Sequence, residues 1–179
     1  FLDAKAFGSV NRMLVVGTKN IVRLSWPEEL AKWEHLRHFR YENLAGVPGS
    51  QRLKIIESKP DILGLNYDNL EWFYDTVPPA LWPDVLVLDE IARMKSYKAS
   101  RVRAHLDQMS RFKRIWGLTA TPTIEGHIGL WAQEASVSLK RRLGPNITAF
   151  RARYCSTVDK DTSRYAVSAI QAREIEKTI

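Results

Sequence analysis

The residues best suited to chemistry in this 179-residue chain are Asp89 and Glu90, directly behind the apolar run Val85-Leu86-Val87-Leu88. Four consecutive apolar residues read as a strand buried on both faces, the pattern of a parallel sheet covered by helices. Ligands of such sheets bind at the carboxyl ends of the strands. There, one carboxylate would hold a metal ion and its neighbour would handle a proton. The same pair would equally form a solvated acidic turn behind an ordinary strand. A second polar group follows the short strand Ile115-Trp116-Gly117-Leu118: Thr119 and Thr121, closed by Pro122. Their hydroxyls suit a phosphate-bound water or the neighbouring carboxylates, and a plain Thr-rich turn fits them as well.

Cations begin immediately after the acidic pair. Residues 1–92 carry 10 Lys/Arg against 13 Asp/Glu, residues 93–154 carry 13 against 3, and residues 155–179 carry 4 of each. The formal net charge of +7 therefore belongs to one segment. So one-sided a block points to a polyanionic partner, nucleic acid first, or else to a solvated basic face. Lys95, Lys98 and Arg101 are the leading candidates for phosphate contact, followed by Arg151 and Arg153.

Other chemistries find less support. Cys155 is the single cysteine, which rules out an internal disulfide and fits a reducing compartment. His35 and His38 stand three apart, yet no Cys or carboxylate cluster completes a metal site with them. His105 and His127 have no evident partner. With no charged-then-apolar leader and no apolar run near the roughly 18 residues of a membrane span, neither export nor a membrane is expected.

These groups need elements to position them. Phe1 to Phe7 reads as the end of a helix capped by Gly8, so the chain is expected to open inside a domain. Met13–Val16 reads as a strand that releases Gly17-Thr18-Lys19-Asn20. Ser25-Trp26-Pro27-Glu28 has capping-box spacing and predicts a helix with Trp26, Leu30, Trp33 and Leu36 facing the core. After a turn at 46–50 come a helix through Leu53, Ile55 and Ile56, a strand over 62–67, and a helix capped by Asp68 or Asn69. Further helices are expected around Val102, Leu106 and Met109, from Ile128, over Ile147–Tyr154 and over 169–179, with a polar loop at 159–165. Strands alternating with helices imply βαβ units and a parallel sheet.

VLVLDE at 85–90 and GLTATPT at 117–123 together resemble motifs II and III of superfamily-two helicases and translocases. LVVGTKNIVRLSWPEELAKW at 14–33 resembles motif Ia of the Snf-type (sucrose-nonfermenting) branch, and LGLNYDNLEWF at 63–73 its next strand-helix segment. DEIARMKS at 89–96, TATPTIEGHIGLWAQ at 119–133 and LGPNITAFRARYC at 143–155 are similar to phage and bacterial members in particular.

The resemblance implies a three-layer, RecA-like α/β lobe, with residues 1–155 forming part of a first motor lobe. Residues 156–179 would be a loop and helix leading towards a second lobe. It implies ATP and Mg²⁺ as cofactors, double-stranded DNA and the second RecA-like lobe as partners, and a cytoplasmic, nucleoid-associated setting. Carried over by position, Asp89 would coordinate Mg²⁺ through the nucleotide phosphates, and Glu90 would orient and deprotonate the attacking water. Thr119, Ala120 and Thr121 would couple the nucleotide site to DNA and the second lobe. Ala92 departs from the pattern, standing where many relatives carry His or Asp. No G-x-x-x-x-G-K-[ST] phosphate loop occurs in the 179 residues. In the family that loop precedes motif Ia and lies on a strand of the same sheet, so the expectation is an internal piece of a motor, inactive alone. The alternative is a nucleic-acid-binding module that does not hydrolyse nucleotide.

Overall fold

Strands Met13–Gly17 (β1), Tyr41–Asn43 (β2), Ile62–Asn66 (β3), Val85–Asp89 (β4) and Arg114–Leu118 (β5) form one parallel sheet in the order β2-β3-β1-β4-β5. The computed structural model describes residues 2, 5, 8–121, 127–139, 141–159 and 164–178. The three inner strands are the three near-continuous apolar runs. Leu14, Val16, Leu63, Leu65, Leu86 and Leu88 face one side, while Met13, Val15, Ile62, Val85 and Val87 face the other. All of these side chains are buried. Truncating one of them, such as Leu88→Ala, would cost about 2–5 kcal/mol.

Helices cover both faces, giving three layers. Trp26–Lys32 (α1) packs Leu30 on the face of Val15 and Val87. The opposite face takes Gly49–Glu57 (α2), Leu70–Thr76 (α3), Ser100–Gln108 (α4), Leu130–Val137 (α5) and Ile147–Tyr154 (α6). A two-stranded antiparallel hairpin, Ser156–Asp159 (β6) with Arg164–Ala166 (β7), precedes the last helix, Ala169–Thr178 (α7). Ile175 of α7 is fully buried in the same apolar cluster as Leu14 and Leu88. Among the described residues no helix is long and apolar enough to cross a membrane.

Several local expectations need correction. The capping box at Ser25 does not form, because a π-helical turn, Ile21–Ser25, runs straight into α1. Ser25 is itself helical, and its side chain makes no cap hydrogen bond. The helix ends at Lys32, which leaves Trp33 50 % exposed instead of in the core. Asp68 and Asn69 belong to a 3-10 turn, Tyr67–Asn69, and the Asn69 side chain does not cap α3. Asn146 does cap α6, its Oδ1 accepting from the Ala149 N–H at 2.9 Å. The loop expected over 159–165 is in part the hairpin of β6 and β7, its residues 160–163 lying outside the described residues. The helix expected over Phe1–Phe7 also falls largely outside them, although Gly8 has the left-handed φ of 68° that a helix-ending glycine adopts.

Candidate functional site

Because every strand of the sheet runs the same way, their carboxyl ends share one edge. That edge carries Thr18 and Lys19 after β1, Asn66 at the end of β3, Asp89 and Glu90 at and after β4, and Thr119 after β5. Register brings the last two strands into line, with Leu88 opposite Gly117 and Asp89 opposite Leu118. Gly117 is needed there: a Cβ would stand 2.5 Å from Ile91 Cδ1 and 2.9 Å from Val137 Cγ1. The bare backbone lets β5 lie close to the turn that follows Glu90.

The acidic pair is divided between two clefts. Asp89, the last residue of β4, points to the α1 side of the sheet, where its Oδ2 accepts from Trp26 Nε1 at 2.9 Å. It lines a mostly apolar cleft of about 410 Å³ with Ile21, Ser25, Trp26 and Glu29. Its backbone carbonyl accepts from the Tyr67 hydroxyl at 3.0 Å. Burial, and then the charges of Asp89 and Glu90, push the Tyr67 phenol well above its ordinary value, so it remains a donor.

Glu90 turns the other way. Its backbone is left-handed, with φ 58° and ψ 55°, a strained conformation for a residue with a Cβ. The exposed side chain enters a cleft of about 540 Å³ shared with Ala92, Arg93, Lys95, Arg101, Thr119, Ala120 and Thr121. The structure thus brings Glu90 together with all three residues of the threonine segment. The Thr121 N–H donates to Thr119 Oγ1 at 3.2 Å, which folds that segment back on itself. Pro122 and Thr123 lie outside the described residues.

Cations crowd this cleft and the one beside it. Arg93 Nε lies 3.5 Å from Glu90 Oε2. Arg101 Nη1 lies 3.8 Å from Asp68 Oδ1, and its Nη2 donates to the Arg93 carbonyl at 3.4 Å. Arg101 Nε is buried and has no hydrogen-bond partner among the described residues, an orphaned donor that an anion would satisfy. Arg93 and Arg101 also line a smaller cleft of about 90 Å³ with Thr18, Lys19, Asn66 and Asp68.

The remaining cations of the sequence reading sit further along. Lys98 is exposed on the loop behind Lys95. Arg151 lies over the rings of Tyr97 and Tyr165, at 5.2 and 4.4 Å, and so joins α6 to that loop and to β7. Arg153 pairs with Glu174 at 3.1 Å on α7 and lies over Tyr154. Neither Arg151 nor Arg153 lines the clefts around Glu90.

Trp26, Lys19 and Arg93 were not singled out as site residues by sequence. Lys19 carried a usable signal, since it leaves the carboxyl end of an inner parallel strand. Arg93, three residues after Glu90, carried a weaker one. Trp26 carried none, because its partner is 63 residues away. His105 has two partners after all. Its Nε2 meets the Ser136 carbonyl and its Nδ1 meets the Tyr74 hydroxyl, each at 2.7 Å. A carbonyl only accepts, so Nε2 carries the proton and Tyr74 donates to Nδ1. His127 pairs with Glu176 at 3.3 Å. Among the described residues no group of three or more His, Cys, Asp and Glu could hold a metal ion.

The architecture is that of a RecA-like α/β lobe, a parallel five-stranded sheet between helices with its polar residues at one strand edge. The Sulfolobus solfataricus SWI2/SNF2 ATPase core in complex with dsDNA has the same fold: the TM-score is 0.72 at 22 % identity, over 99 % of this chain and 34 % of that one. Protein p41 of Acyrthosiphon pisum secondary endosymbiont phage 1 is 30 % identical over 147 residues, covering 79 % of this chain and 32 % of that protein. The chain spans about a third of the length of these relatives. No protein-family model matches it.

Proposed function

We propose that these residues form part of the first RecA-like lobe of an ATP-dependent DNA translocase or helicase of the Snf type. One observation carries the reading: Glu90 after β4 and Thr119–Thr121 after β5 share a cleft at the carboxyl edge of a parallel sheet, flanked by Arg93, Lys95 and Arg101. A water-orienting carboxylate beside hydroxyls and cations is the equipment phosphoryl transfer needs, because that reaction is catalysed by positioning and charge neutralisation. The likeness in fold to an ATPase core solved with dsDNA supports the same class.

The residues present fit a nucleotide-borne magnesium ion better than a metal held by protein alone. Mg²⁺ is typically bound through one or two carboxylates together with substrate phosphates and water. Asp89 supplies one carboxylate, its orientation fixed by Trp26, and no metal-binding cluster surrounds it among the described residues. Bound magnesium would neutralise charge on the transferring phosphoryl group. Asp89 would hold the ion, Glu90 would accept the proton of the attacking water, and Thr119 and Thr121 would sense the outcome beside Glu90. The cations around the clefts would meet the DNA backbone.

A phosphate loop is missing from the 179 residues, so the isolated chain is expected to show negligible ATP hydrolysis with or without DNA. DNA-stimulated turnover by this chain at the rate of a complete motor would overturn that. In the full-length protein, Glu90→Gln is expected to preserve ATP binding while turnover falls by about two or more orders of magnitude. Unchanged turnover would remove Glu90 from the mechanism.

A further inference from the structure

Arg93 lines both clefts at this edge, as Arg101 does, and of the two it is the one paired with Glu90. On one side it stands 3.5 Å from Glu90, within the cleft that holds Thr119 and Thr121. On the other side it lines the small cleft at the ends of β1 and β3, with Thr18, Lys19 and Arg101. The second cleft concentrates positive charge: Lys19, Arg93 and Arg101 face a single carboxylate there, Asp68. Arg101 touches both the Arg93 carbonyl and Asp68.

From this placement we propose that Arg93 is a positioning residue coupling the β1/β3 cleft to Glu90, its guanidinium exchanging between the Glu90 carboxylate and a backbone phosphate of bound nucleic acid. The inference rests on the reading of Glu90 as the water-orienting carboxylate. Without nucleic acid, Arg93 holds Glu90 in an ion pair and neutralises the charge it needs to accept a proton. A phosphate seated against Thr18, Lys19 and Arg101 offers Arg93 two non-bridging oxygens that share one negative charge, a bidentate partner that a guanidinium binds well. Glu90, freed of the pair, keeps its place in the cleft with Thr119 and has its charge available.

The geometry suits an exchange and not a permanent lock. Both members of the pair are about half exposed, with side-chain exposures of 57 % for Arg93 and 49 % for Glu90, so the pair is easily broken. Glu90 itself has little freedom to follow, because its left-handed backbone sets the direction of its side chain. The arginine is the long, mobile partner.

The test uses the full-length protein and measures ATP hydrolysis against double-stranded DNA concentration for wild type, Arg93→Ala, Arg93→Lys and Lys19→Ala. Arg93→Ala is expected to raise the DNA-free rate about two- to fivefold, the bias an exposed ion pair can impose, and to shrink the DNA stimulation ratio accordingly. Arg93→Lys keeps the charge but not the bidentate fork, and should give a stimulation ratio between those of wild type and Arg93→Ala. Lys19→Ala should raise the DNA concentration needed for half-maximal rate. A stimulation ratio unchanged in Arg93→Ala, or DNA-free and DNA-stimulated rates that fall in proportion, would overturn the coupling. Hydrolysis that proves independent of Glu90 would instead overturn the functional reading, and the coupling with it.

Discussion

The indole N–H of Trp26 donates to Oδ2 of Asp89 across 2.9 Å, so the first turn of α1 holds the carboxylate at the end of β4 in one orientation. Hydrogen bonds to an ionised acceptor are worth about 1.5–3 kcal/mol when neither partner is fully solvated, and both partners here are half-buried. Trp26→Phe keeps the aromatic body in the cleft and removes only the donor. It is expected to lower the urea midpoint modestly. In the full-length protein it should raise the Mg²⁺ concentration needed for half-maximal hydrolysis several-fold, with a smaller change in kcat. A kcat loss at unchanged Mg²⁺ dependence would mean that the indole does not act through a metal ion held by Asp89.

Glu90 sits in a backbone conformation that favours glycine. Its Glu90→Gly substitution removes the Cβ strain and only an exposed ion pair, so chemical denaturation should show a gain of about 1 kcal/mol. The same variant should lose hydrolysis in the full-length protein. Stability bought at the expense of activity is the signature of a strained residue kept for its chemistry; a destabilised Glu90→Gly would argue against it.

The buried His105 gives the fold an acid-sensitive point. Burial, outweighing the bond to Ser136, lowers its pKa from the ordinary 6.5 to about 4. The imidazole is therefore neutral in the folded chain, while the unfolded chain takes up a proton below pH 6.5. Stability is expected to be level above that pH and to fall between pH 6.5 and 4, by at most about 1.4 kcal/mol per pH unit. Thermal melts of wild type and His105→Gln across that range should diverge, the variant showing the flatter profile. Parallel profiles would place the acid sensitivity elsewhere.

Contact through Lys95, Lys98 and Arg101 predicts DNA affinity that falls steeply with salt, at a slope of about −0.9 per phosphate met. Lys98 is exposed, and replacing it should not disturb the fold. Lys98→Ala should weaken binding to unrelated duplexes alike and reduce the slope by about one. A salt-independent affinity would exclude backbone tracking by these residues.

What the sequence disclosed followed from local pattern. Val85–Leu88, Ile62–Leu65 and Met13–Val16 announce inner strands because both faces of each are buried, and every residue in them is apolar or glycine. Strand β2 gave no such sign, as Tyr41-Glu42-Asn43 is half-buried at a sheet edge and carries no apolar run. The capping-box spacing at Ser25 misled because the chain is already helical when it reaches that residue. Asp89 and Glu90 were legible as a pair at a strand end, but their division between two clefts was not. It depends on a left-handed turn at Glu90 and on an indole from a distant helix. The partners of His105 lie 31 residues away on either side, beyond the reach of any local motif.

β5 closes the sheet on one side, and among the described residues nothing pairs with its outer edge. Beside that edge runs an open, largely apolar groove of about 800 Å³ bounded by Ile115, Leu118, Leu130 and Val137, and Leu118 is 46 % exposed. A sheet margin of this kind recruits whatever strand is at hand, including that of an identical molecule. For anyone purifying the 179 residues alone, solubility becomes a question of chemistry at one position. A lysine in place of Leu118 puts a charge where a stray strand would dock, and it should reduce any self-association that light scattering detects in the unaltered chain.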